Sequence, residues 1–149
     1  MNNNTLSLKS RRWLISINLI TLCGTIIFYE LFKELFKTAE RTLFLGGILA
    51  VLLLLIIASY YYVFYKTRLW HLVHISDKEL DERELQVTNT GLKYAYVIFT
   101  VTALVVIYWH NIAEINVNGL TAAGLLYLAH ILPATVIGWR EEDIAWGNA

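Results

Sequence analysis

Histidine is the residue type best able to do chemistry in this 149-residue chain, which contains four of them. His71 and His74 are three positions apart, and Asp77 follows three positions later. On one face of a helix, this H-x-x-H-x-x-D pattern could ligate zinc. A structural zinc site needs a fourth ligand, which the neighbouring sequence does not supply. The pattern therefore favours an ordinary pair of surface histidines. We predict no bound cofactor and keep metal binding as the weaker alternative.

His130 is a second candidate, because it lies inside an apolar run three residues before Pro133. Proline lacks the backbone N–H group and clashes with the carbonyl four residues back, so the Ala129 carbonyl is freed beside an imidazole. One interpretation is a proton-relay, metal or ligand contact. The favoured one is a buried, neutral imidazole hydrogen-bonded to a neighbouring helix, since desolvation disfavours the charged form. The polar residues that could be its partners are Asn18, Thr21 and Thr100.

Recognised enzyme signatures are missing from the sequence. It has no HExxH motif, no P-loop, no dinucleotide-binding fingerprint and no serine–histidine–acid set. Its single cysteine, Cys23, excludes disulfide exchange within one subunit. A formal net charge of zero gives no basic field for nucleic acid. We therefore predict a protein that is not an enzyme and has no nucleic-acid partner.

The elements that must position these residues are long apolar helices. Thr42 to Tyr65 is the clearest, with 24 residues that include no charge, proline or histidine. As a helix it covers about 36 Å, against a hydrocarbon core of about 30 Å. Hydrophobic residues make up 57% of the chain and charged residues 16%, and the mean hydropathy is +0.52.

These values predict an all-α integral membrane protein, in which residues 1–149 form one four-transmembrane-helix bundle in contact with lipid. The predicted spans are 13–32, 42–65, 94–109 and 119–139, and residues 66–93 form a cytosolic segment. Nine lysines and arginines fall in the N-terminus, this segment and the C-terminus, which lie on one side of the membrane. Three fall on the other side, in the connection between the first and second spans. Since the cytoplasmic side carries the excess of positive charge, both termini are predicted to be cytoplasmic.

The cytosolic segment is predicted to hold a short helix between the second and third spans. Ser76 and Glu79 match a capping box, so the helix should start at Asp77 and continue into the third span. The preceding RLWHLVHI is expected to prolong the second span. We favour a solvated helix face, and the alternative is a docking surface for a cytosolic protein or for the N-terminal arginines of a neighbouring subunit. That surface consists of Asp77, Glu79, Asp81, Glu82, Arg83 and Glu84.

Three stretches carry a resemblance: LDERELQV, the aromatic KYAY after it and the ending LPATVIGWREED. A D-E-R-x loop before an aromatic-rich third span resembles a family of small, uncharacterised bacterial membrane proteins with four helices. The resemblance implies the four-helix architecture and a bacterial inner-membrane location. It implies no catalytic residue, because that family has no settled activity.

Small residues recur at helical spacing on two of the spans. Gly46-x-x-x-Ala50 lies on the second span and Gly119-x-x-x-Ala123 on the fourth. Close helix contacts in lipid depend on small residues. Two such faces predict a homo-oligomer, most simply a dimer, and the alternative is a monomer in which both faces pack internally.

Taken together, these features predict a small interaction or scaffold subunit. One alternative is an oligomeric channel or transporter with a polar path near His130 and Asn18, although no acidic residue lies deep inside a span. Another is a metal- or haem-binding bundle, although His110 should lie at the outer edge and cannot pair with His130 across a haem. In a scaffold, the polar side chains within the spans should be hydrogen-bonded to one another. In a channel or transporter, a continuous water-accessible path should pass His130.

Overall fold

The computed structural model describes residues 7–33, 35, 39–67, 69–75 and 80–140, and within these ranges it is helical with no strand. The elements are α1 (Leu8–Phe32), α2 (Ala39–Tyr60), a π-helical turn that continues α2 (Tyr61–Tyr65), α3 (Leu69–His74), α4 (Glu82–Ile112) and α5 (Gly119–Arg140). Among these residues, four segments are long and apolar enough to cross a membrane: α1, α2 with its π-helical turn, α4 and α5. The prediction of an all-helical chain with four membrane-length helices is confirmed.

The helix that contains the third span begins later than predicted. Asp81 is extended, and its carboxylate accepts a hydrogen bond of 2.7 Å from the backbone N–H of Glu84. The Glu84 carboxylate in turn accepts one of 3.2 Å from the Asp81 backbone N–H. This reciprocal capping box fixes the start of α4 at Glu82, so the prediction that the helix runs unbroken from Asp77 into the third span is wrong at Leu80 and Asp81, while residues 77–79 lie outside the described residues. From Glu82 onward α4 runs unbroken through the predicted third span.

The segment after the second span does not prolong it, contrary to the prediction. The π-helical turn ends at Tyr65, a turn follows, and α3 folds back against α5. Leu69 lies against Gly138, and the Leu72 carbonyl accepts a hydrogen bond of 3.4 Å from the Thr88 hydroxyl of α4. Leu69 and Leu72 share one face of α3 and are both buried, which a helix projecting away from the other spans would not achieve.

The long helices pack in the order α4, α5, α1, α2, and α3 covers the C-terminal part of α5 together with the π-helical turn. The main core lies at that end, where every residue from 131 to 138 is buried. Its buried members are Ile15, Val63, Phe64, Leu69, Leu72, Ile131, Ala134 and Ile137. The flanking helices α2 and α4 instead expose large apolar side chains, among them Leu43, Phe44, Tyr96, Leu104 and Tyr108. Apolar exposure of this extent suits helices that face lipid or another protein.

Candidate functional site

His130 lies on the surface of the protein, so the prediction of a buried imidazole is wrong. Its ring meets that of His74, with the two centroids 4.9 Å apart and the planes inclined by 51°. The backward fold of α3 makes this contact, because it places Leu69 beside Gly138 and His74 beside His130. This contact was not predicted, because a second span prolonged through the residues of α3 would carry His74 away from His130.

Trp70 extends the histidine pair into a ladder of three rings, formed by Trp70, His74 and His130. The Trp70 and His74 rings are stacked, with centroids 4.4 Å apart and planes inclined by 13°. Nδ1 of His74 lies 2.9 Å from the Trp70 carbonyl oxygen. Since a carbonyl only accepts hydrogen bonds, Nδ1 is the donor, and Nε2 keeps its lone pair when the ring is neutral.

The predicted H-x-x-H-x-x-D metal pattern is only partly assembled. His71 and His74 are both exposed on α3, but only His74 joins the ladder. Asp77 lies outside the described residues. Within the described ranges, no three histidine, cysteine or acidic side chains come together as a metal-binding group. The ladder therefore offers two imidazoles, one from α3 and one from α5.

Asn18 is the centre of a buried polar network that joins three helices. Its side chain is 0% exposed. Its amide nitrogen lies 2.7 Å from the Ser59 hydroxyl, 3.0 Å from the Tyr127 hydroxyl and 3.3 Å from the Ile56 carbonyl. The Tyr127 hydroxyl also donates to the Asn18 amide oxygen over 3.2 Å. Asn18 was predicted to be a polar partner inside the membrane, but its partners are Ser59 and Tyr127, which the sequence analysis did not single out.

The three residues of the predicted intramembrane polar site, His130, Pro133 and Asn18, are separated, because His130 and Pro133 lie on different faces of α5 and Asn18 on α1 contacts a third face. Tyr127 faces Asn18 on α1, His130 faces α3, and Pro133 is buried towards Gly91 on α4. Each step of three residues turns the face of a helix by about 60°, so residues three and six positions apart can contact different neighbours. The structure therefore does not bring these three residues together.

Of the predicted acidic docking surface, the structure describes only the second half, Asp81, Glu82, Arg83 and Glu84. Ser76 of the predicted capping box lies outside the described residues, as do Asp77 and Glu79. The carboxylates of Asp81 and Glu84 accept the hydrogen bonds that cap α4, which gives them a structural role. The remaining two members, Glu82 and Arg83, are exposed in the first turn of the helix.

The N-terminal arginines are engaged within their own chain. Arg12 donates from Nε to the Trp139 carbonyl over 2.9 Å, and its guanidinium lies 5.8 Å from the centre of the Trp139 ring. Arg11 is only 6% exposed. Both residues thus help to fasten α1 within the protein, which weakens the alternative that they dock on the acidic surface of a neighbouring subunit.

A polar cluster around Glu30 was missed by the sequence analysis. One Glu30 carboxylate oxygen accepts hydrogen bonds from Asn118 and, over 3.5 Å, from Thr121, while His110 Nε2 lies 3.8 Å away. The other oxygen pairs with Lys33 over 2.8 Å. The cluster fastens α1, α4 and α5 at the end opposite to the main core. Asn118 also caps α5, which its position just before an apolar run could have revealed, but no sequence pattern joins it to Glu30.

The predicted small-residue faces are not the places where helices pack closely within the chain. Among the described residues, no neighbouring atom lies within 4 Å of where a side chain would begin at Gly46 or Gly119. Ala50 and Ala123, one helical turn further on, are exposed. The internal packing of both faces, which the monomer alternative assumed, is therefore contradicted within the described part of the chain.

Three other glycines permit the close contacts within the chain. A Cβ atom at Gly91 would lie 2.6 Å from an Ile137 side-chain carbon, and one at Gly124 would lie 2.6 Å from Ile26. At Gly138 it would meet Leu69 at 2.7 Å and Ile15 at 3.0 Å, so α5 is held between α3 and α1 there.

Comparison of the chain with family models, with curated proteins and with solved structures finds no match. The resemblance to small bacterial four-helix membrane proteins therefore stays a prediction. The function is inferred from the geometry described above.

Proposed function

We propose that the chain is a small interaction subunit of a bacterial inner membrane, which assembles as a homodimer through its outward small-residue faces. The observation that carries the proposal is the orientation of Gly46 with Ala50 and of Gly119 with Ala123, away from the rest of the chain. In lipid, helices approach one another closely where side chains are small. Two such faces left open by the monomer are therefore suited to a second copy.

The polar residues of the spans support an interaction subunit over a conduit. Asn18 is buried, and both its amide nitrogen and its amide oxygen have partners on neighbouring helices. Ser59 also donates to the Ile56 carbonyl over 3.0 Å. A polar path through the protein needs groups that remain available to water or to ions. These groups are bonded to one another instead, and His130 faces outward rather than towards them.

The proposal places both termini on the cytoplasmic side, and the two ends of α4 test this orientation. The helix contains 31 residues, from Glu82 to Ile112, which corresponds to about 46 Å and exceeds the hydrocarbon thickness. Asp81 and Glu114 are exposed beyond its two ends. With Cys23 replaced by serine, Asp81→Cys should react with a membrane-impermeant maleimide only in inside-out vesicles. Glu114→Cys should react in spheroplasts, and the reverse pattern would invert the orientation.

The dimer is tested by enlarging the small residues. Leucine at Gly46 or Gly119 should hold the partner helix away and raise the dissociation constant of the dimer at least about tenfold, or about 1.4 kcal/mol, which lowers the dimer fraction. Chemical cross-linking in mild detergent, quantified over a range of detergent-to-protein ratios, measures this fraction.

Gly24→Leu is the matched control, because Gly24 on α1 also has no neighbouring atom within 4 Å but belongs to neither small-residue face. The control variant should cross-link like the parent protein. Equal loss of cross-linking in Gly24→Leu would assign the effect to hydrophobic bulk and contradict the proposed interface.

A further inference from the structure

We propose that His74 and His130 bind a divalent transition-metal ion of the Zn²⁺ type on the outer face of α3 and α5. The pair lies about two helical turns beyond Ala123, on the same side of α5 as Gly119 and Ala123. The site differs from the sequence pattern of His71, His74 and Asp77, since it joins one histidine of that pattern to a residue of another helix.

The geometry of the pair suits shared coordination. The two imidazoles come from different elements, with centroids 4.9 Å apart and planes inclined by 51°. Adjacent ligands of a tetrahedral zinc ion are held at about 2.0–2.1 Å from the metal, so their rings must be close neighbours that converge at an angle. Both side chains are exposed on the surface of the protein.

The hydrogen bond of His74 prepares its second nitrogen for a metal. Nδ1 donates to the Trp70 carbonyl over 2.9 Å, which leaves the lone pair on Nε2. Histidines that ligate metals usually donate their other N–H to a carbonyl or carboxylate in this manner, which fixes both tautomer and ring orientation. The stacked Trp70 ring restricts the imidazole further.

The ligand set selects the class of ion. Two neutral imidazoles suit Zn²⁺, Cu²⁺ or Ni²⁺, whereas Ca²⁺ and Mg²⁺ require oxygen ligands. No carboxylate joins the two histidines in a metal-binding group within the described part of the chain. Two protein ligands leave the remaining positions to water, so the ion should bind reversibly and exchange with the solution.

A simple aromatic ladder is the competing explanation, and phenylalanine substitutions separate the two. His74→Phe and His130→Phe each keep a ring in the ladder but remove the nitrogen donors. Loss of a residue that merely orients a ligand costs about 10–100-fold in metal affinity, so loss of a ligand should cost at least about tenfold. His71→Phe is the matched control, because His71 is exposed on the same helix and outside the ladder.

The test is calorimetric titration of the metal-free full chain in detergent with Zn²⁺ alone, together with Cu²⁺ electron paramagnetic resonance. We expect His74→Phe and His130→Phe to weaken Zn²⁺ binding at least about tenfold, and His71→Phe to change it by less than about twofold. The Cu²⁺ spectrum should contain the coupling of two imidazole nitrogens in the parent and of one in either ladder variant. Equal Zn²⁺ affinity of the parent and the His74→Phe/His130→Phe double variant would overturn the site. An equally large loss in His71→Phe would do so too.

Discussion

Replacement of Asn18 by leucine is expected to destabilise the folded protein by about 2 kcal/mol. Hydrogen bonds between helices in membranes contribute on average about 0.6 kcal/mol each and at most about 1.7 kcal/mol, and Asn18 joins α1 to both α2 and α5. The leucine side chain has the same number of heavy atoms and the same branching as asparagine at this fully buried position, so the loss does not report a cavity. The Tyr127 hydroxyl would lose its Asn18 partner in apolar surroundings, which adds to the cost.

Reversible unfolding in mixed micelles with increasing sodium dodecyl sulfate measures this change. Thr100→Val is the control, because the Thr100 hydroxyl donates to the Tyr96 carbonyl of its own helix and has no hydrogen bond to a second helix within the described part of the chain. It should change stability by less than about 0.5 kcal/mol. Equal effects of the two substitutions would mean that the Asn18 network contributes nothing specific to helix association.

A leucine at Gly138 is expected to cost about 1–3 kcal/mol, the usual range for an overpacked core. The new Cβ atom would lie 2.7 Å from Leu69 and 3.0 Å from Ile15, and both of these side chains are fully buried. Neither neighbour can move aside without disturbing the core around it. Because Leu69 belongs to α3, the substitution should also displace α3 from α5.

Two readouts distinguish this effect from a general response to leucine. Gly24→Leu on α1 meets no neighbouring atom within 4 Å among the described residues, so its unfolding midpoint should be no lower than that of the parent. Proteolysis within α3 should accelerate in Gly138→Leu and remain unchanged in Gly24→Leu. If Gly138→Leu were as stable and as protease-resistant as the parent, the packing of α3 against α5 would be wrong.

The membrane-length helices could be predicted because composition alone encodes them. A run such as Thr42–Tyr65, without charge or proline, has few alternatives to a membrane-spanning helix. The same uniformity hides which side of each helix faces the protein, since an apolar residue marks no particular face. For this reason Asn18 was identified as a polar residue within a span, while its partners Ser59 and Tyr127 were not.

The ring ladder could not be predicted for a related reason. LWHLVH has the apolar spacing of a helix whether it prolongs α2 or folds back on α5, and only the packing of Leu69 and Leu72 decides between them. The contact of His74 with His130 depends on that decision. Likewise, the glycines were identified by spacing, which selected Gly46 and Gly119, whereas close packing within the chain depends on the shape of the neighbouring helices.

Counting the chains in one assembled particle tests the proposed interaction subunit most directly. The parent protein, labelled at a single position and reconstituted in nanodiscs at high lipid excess, should bleach in two steps in single-molecule fluorescence. Gly46→Leu and Gly119→Leu should bleach in one step, because the small-residue faces that remain open in the monomer are then blocked. A parent protein that bleaches in one step at every lipid-to-protein ratio would contradict the proposed function.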